Sequence, residues 1–86
     1  MDKLNDLRKQ IDVIDSQLIQ VLSERLKVVD EVGKIKKKLG LKPLDPARWK
    51  LVLEKNLRQA ESLGLRKEFI KKILDTIHEE ALLVEK

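Results

Sequence analysis

From Leu4 to Leu39 apolar residues recur at alternating steps of three and four. Heptad position a takes Leu4, Ile11, Leu18, Arg25, Val32 and Leu39, and position d takes Leu7, Ile14, Val21, Val28 and Ile35. Every seam position except Arg25 is apolar, and no proline interrupts the run. This periodicity predicts one long amphipathic helix. Gly40 suits its C-terminal cap, and Pro43 blocks its continuation. A second helix is expected from Asp45-Pro46, where Asp45 can cap the end and Pro46 fits a first position that needs no N–H. It runs through Leu53, Leu57 and Ala60 to about Leu63, and Gly64 stops it. The third helix starts near Arg66 and carries Phe69, Ile70, Ile73, Leu74, Ile77, Ala81 and Val84 on one face. The connection from Leu39 to Leu44 is the only loop of any length expected. The fold class is therefore all-α, with one long helix and two shorter ones in a single domain over residues 1–86.

Length turns that pattern into a statement about assembly. A helix of about 36 residues spans ~54 Å, whereas a compact domain of this size has a radius of gyration near ~12 Å. The two shorter helices cannot cover the whole apolar seam. A second copy of the chain is the simplest cover, since two-fold homodimers are the commonest oligomers. Pairing the long helices antiparallel gives an intertwined homodimer whose axis passes near Ile19.

Composition narrows the classes. Hydrophobic residues make up 42% and charged residues 40%, with Trp49 and Phe69 the only aromatic residues of the Phe, Trp and Tyr set. No cysteine is present, and His78 is the single histidine, so neither a disulfide nor an ordinary zinc site is expected. No apolar run reaches the ~20 residues that cross a bilayer, and no signal-peptide pattern opens the chain, so no membrane partner and a cytoplasmic location are expected. The net charge of +4 suits a small anionic ligand and also weak nucleic-acid contact. The near absence of base-stacking aromatics, and the placing of an arginine in the apolar seam, count against a nucleic-acid partner.

Arg25 has three readings. Its guanidinium can snorkel out with only the stem buried, pair with a buried carboxylate, or point into a closed cavity and hold an anion through its planar fork. Lys36, eleven residues on and on nearly the same face, lies roughly 16 Å along the axis, within joint reach of a small ligand. Arg8 lies roughly 25 Å from Arg25 and cannot join the same small site within one chain. In an antiparallel dimer, however, it falls beside residues near 30 of the other copy. Arg48 would stand in the first turn of the second helix, where the dipole favours anions. These cations around one cavity suit a dianionic metabolite. No nucleophile–base pair stands out, and His78 on a charged segment is read as a structural or surface residue. Any chemistry should need no cofactor, metal or covalent step, only charge stabilisation and forced conformation.

The segments Leu7-Arg8-Lys9-Gln10-Ile11-Asp12, Ser23-Glu24-Arg25 and Glu31-Val32-Gly33-Lys34-Ile35-Lys36 resemble the first helix of AroQ chorismate mutases. Asp45-Pro46-Ala47-Arg48 is similar to the family's second-helix start, and Ile77-His78-Glu79-Glu80 to its third helix. The resemblance implies an all-helical dimer with two sites shared between chains, converting chorismate to prephenate by a concerted [3,3] rearrangement. It implies that Arg8 of one chain, with Arg25 and Arg48 of the other, holds the two carboxylates. Lys36 would donate to the ether oxygen of the breaking bond, and Asp45 would help at the substrate hydroxyl.

Three positions depart from the commoner pattern. Trp49 stands where many members carry Glu, and the Arg48-Trp49 pair resembles mutase domains associated with 3-deoxy-7-phosphoheptulonate synthase, which makes that enzyme an expected partner. Ala81 stands where Ser is common, which removes one hydrogen bond to a carboxylate. Glu85 aligns with a glutamine that donates to the ether oxygen, and a carboxyl group can donate only when protonated. Activity is therefore expected to rise toward acid pH. Two neighbouring readings share the scaffold: an isochorismate-pyruvate lyase, and a non-catalytic domain that binds chorismate or prephenate for a larger shikimate-pathway enzyme.

Overall fold

The computed structural model describes residues 2–86, and among them only helices form regular structure: α1 (Asp2–Leu39), α2 (Pro46–Ser62) and α3 (Lys67–Glu85). The end of α1 has the chemistry expected of it. Gly40 takes φ 69°, its N–H reaches the Lys37 carbonyl at 3.2 Å, and the Leu41 N–H reaches Lys36 O at 2.8 Å. A left-handed residue followed by these back-bonds satisfies carbonyls that the helix leaves open. Asp45 caps α2 by accepting from the Arg48 N–H at 3.1 Å, with Pro46 opening the helix. The connection between α2 and α3 is the second turn of the chain. Gly64 at φ 76° lets the Leu65 N–H bond back to Ala60 O at 2.9 Å.

The three helices do not enclose a core. Residues of α1 from Leu22 to Lys36 meet α3 from Thr76 to Glu85 in rising order, so these helices run parallel. Gly33 makes this possible at the far end, because a Cβ there would lie 3.0 Å from the Glu85 Cα. α3 packs against both α1 and α2, while the Cα atoms of α1 and α2 nowhere come within 8 Å of each other among the described residues. The result is an open trough with α3 as floor and the other two helices as walls.

Ala60 and Ala81 are the only buried apolar side chains among the described residues. The N-terminal half of α1 is bare: Leu4, Leu7, Ile11, Ile14, Leu18 and Val21 are all exposed, Ile14 by 60%. The radius of gyration is 16.3 Å and the long dimension 57 Å, against ~12 Å expected of a compact chain of this length. That excess is the length of α1 itself, ~57 Å for its 38 residues. No helix of the described residues is long and apolar enough to cross a membrane.

Candidate active site

The trough holds a cleft of about 410 Å³. α1 supplies Arg25, Lys36 and the valines 28, 29 and 32; the loop supplies Pro43 and Asp45. α2 adds Arg48, Trp49 and Val52, and α3 adds His78, Ala81 and Glu85. All of the expected site residues except Arg8 thus meet in one place. Arg8 lies on the bare half of α1, exposed and outside the cleft of its own chain.

Arg25 stands in the seam because α1 continues past it with unbroken helical period. Its Nη1 is buried with no hydrogen-bond partner, and no carboxylate lies within ion-pair distance among the described residues. The buried-pair reading of Arg25 therefore does not describe this chain. An unpartnered buried guanidinium nitrogen is costly unless an acceptor meets it, and Arg25 is one of the residues that line the cleft.

Lys36 joins three elements. Its Nζ donates to Pro43 O at 2.6 Å and lies 2.6 Å from Glu85 Oε1, tying α1 to the loop and to the end of α3. The second contact is a buried ion pair, with the Lys36 ammonium as the partner of Glu85 Oε1. Glu85, the last residue of α3, is only 8% exposed. An ammonium has three protons, and two neighbours leave one free for a ligand atom in the cleft.

Arg48 and Asp45 stand at the start of α2, both exposed, with the Asp45 carboxylate engaged in the cap. Ala81 is buried in the floor and contributes only a methyl surface. Trp49 stacks on His78, with ring centroids 3.9 Å apart and planes inclined by 6°. His78, read from sequence as a structural or surface residue, is half-buried and lines the cleft. The overlooked signal is its spacing, since positions 78, 81 and 85 share one face of α3.

Comparison with known proteins bears on this arrangement. Residues 7–86 match the family model described as chorismate mutase type II. The chain is 38% identical to the T-protein of Haemophilus influenzae over 86% of its own length and 20% of the relative's. It is 34% identical to the chorismate mutase of Methanocaldococcus jannaschii, over 64% of this chain and 56% of that one. It is 27% identical to the 4-amino-4-deoxychorismate mutase of Streptomyces venezuelae, over 98% of this chain and 82% of that one. The chain spans about a fifth of the length of the T-protein it matches.

Proposed function

Because this chain belongs to the type II chorismate mutase family, we propose that it rearranges chorismate to prephenate. The observation that carries the reading is the unpartnered Arg25 Nη1 together with Lys36 among the residues lining one cleft sized for a small molecule. Chorismate is a dianion with an enolpyruvyl ether. Arg25 and Arg48 take its carboxylates, aided by Arg8 from a second chain laid antiparallel along the bare seam.

The reaction breaks the ether C–O bond as a C–C bond forms, with no atom gained or lost. Lys36 turns its remaining proton toward the ether oxygen, where negative charge grows in the transition state. Donors fixed before charge develops lower the barrier without reorganising. Glu85 adds a second donor to the same oxygen when protonated, and Trp49, Val52 and Ala81 hold the ring side of a folded substrate. Forcing the two ends into contact supplies the orientation term.

The homodimer is part of the proposal: without a partner's Arg8 the site lacks one anion contact, and the exposed seam lacks a cover. Association with 3-deoxy-7-phosphoheptulonate synthase, suggested by the Arg48-Trp49 pair, is a further expectation that co-elution of the two proteins checks.

The deciding experiment follows chorismate absorbance with purified protein and identifies the product. Saturable conversion to prephenate, lost in an Arg25→Ala variant that still dimerises, supports the reading. A folded dimer with no turnover between about pH 5 and 8 rejects it. Tight prephenate binding in that case points to a regulatory domain, and release of pyruvate from isochorismate points to the lyase.

A further inference from the structure

The polar groups of the cleft divide by charge. Arg25, Lys36 and Arg48 are cations suited to carboxylates. Of the two acids, Asp45 accepts from the Arg48 N–H at 3.1 Å and Glu85 lies against the Lys36 ammonium at 2.6 Å. His78 differs from all of these. A neutral imidazole is a donor at one nitrogen and an acceptor at the other. His78 makes no hydrogen bond among the described residues, is half-buried, lines the cleft, and has no buried unpartnered nitrogen. Its flat face is occupied by the Trp49 indole at 3.9 Å, so the ring edge, which carries both nitrogens, is what remains available.

We propose that His78 is a substrate-binding residue whose imidazole edge hydrogen-bonds the ring hydroxyl of the substrate, with Trp49 as the positioning residue that holds the imidazole in place. The inference rests on the mutase reading, because chorismate is what brings a neutral hydroxyl into the cleft together with two carboxylates. A hydroxyl both donates and accepts, and the imidazole is the uncommitted neutral side chain of the cleft able to answer in either sense. Stacking on the indole fixes the ring before substrate arrives, so little rotamer freedom is lost on binding. The stack also bridges α2 and α3, the two helices that must keep their relation for Arg48 and Glu85 to face one ligand.

Two substitutions separate the edge from the face. His78→Phe keeps a flat ring for the indole and removes both nitrogens; His78→Gln keeps a donor and an acceptor and removes the ring. Each is assayed on chorismate and on the analogue lacking the ring hydroxyl. Far-UV circular dichroism and sedimentation establish that folding and assembly are retained. Loss of one hydrogen bond to substrate is expected to lower kcat/KM for chorismate about tenfold in His78→Phe. The analogue's kcat/KM stays at its native level, so discrimination between the two substrates collapses. His78→Gln recovers part of it.

Trp49 is the only tryptophan, so fluorescence reports the stack directly. Emission should change in His78→Gln, where the ring stacked on the indole is gone, and stay near the native spectrum in His78→Phe, where a flat ring remains. A His78→Phe protein that discriminates between the two substrates as the native one does overturns the proposal. So does a His78→Gln emission spectrum identical to the native one. Absence of any native turnover is a different failure, since it removes the mutase reading and this inference with it.

Discussion

Arg25 Nη1 is buried with no hydrogen-bond partner, Glu85 Oε1 is buried against the Lys36 ammonium, and both residues line the same cleft. Such atoms are retained against stability, which makes their removal informative. Arg25→Met keeps the bulk of the side chain and deletes the unpaired charge. It is expected to raise the free energy of unfolding by up to about 1 kcal/mol, read from urea denaturation, while lowering kcat/KM at least ~100-fold. A variant that loses stability and keeps activity would place Arg25 in the packing instead of the site. Glu85 makes a prediction of opposite character. A carboxylate cannot donate a hydrogen bond and an amide can, so Glu85→Gln is expected to raise turnover at neutral pH several-fold, read from initial rates. An unchanged rate in the variant removes Glu85 from the chemistry.

Among the elements, the parallel contact of α1 with α3 depends on one missing side chain. A Cβ at Gly33 would stand 3.0 Å from the Glu85 backbone and 3.2 Å from its Cγ. Alanine in mid-helix gains up to about 1 kcal/mol of propensity over glycine. The end of α3 must retreat by a few tenths of an ångström to admit it. Gly33→Ala is thus expected to leave thermal stability nearly unchanged and to reduce turnover several-fold, because the Glu85–Lys36 contact of 2.6 Å opens. The heptad run, Gly40, Asp45-Pro46 and Gly64 made every helix legible from sequence, since periodicity and caps act within a few residues of chain. Arg25 was legible as the one polar break in an apolar seam, and Lys36 by its turn spacing from Arg25. The Trp49–His78 stack was not. It joins different helices, and nothing in local pattern states how one helix is rotated against another. The Pro43 carbonyl on Lys36 escaped for the same reason, because a loop's path is set by tertiary packing.

At the scale of the molecule, α1, ~57 Å long from its 38 residues, extends past anything its own chain lays against it. The chain should sediment at twice its 10.0 kDa, and charge placed in the bare seam, as in Ile14→Glu, should dissociate the dimer and unfold it together. Thermal midpoints that rise with protein concentration would show that coupling. Mixing gives a sharper check. Arg8→Ala and Arg25→Ala homodimers should each be inactive, yet a mixed dimer regains one native site, restoring about a quarter of native activity after random exchange. No recovery would mean that Arg8 serves no site across the interface. The bare seam also bears on dosage. On the proposed dimer, a chain that completes neither its core nor its cleft alone has no working form below the concentration at which copies meet. Output at low expression should then grow with the square of the number of chains, so that halving the gene dose removes closer to three quarters of the flux than to half.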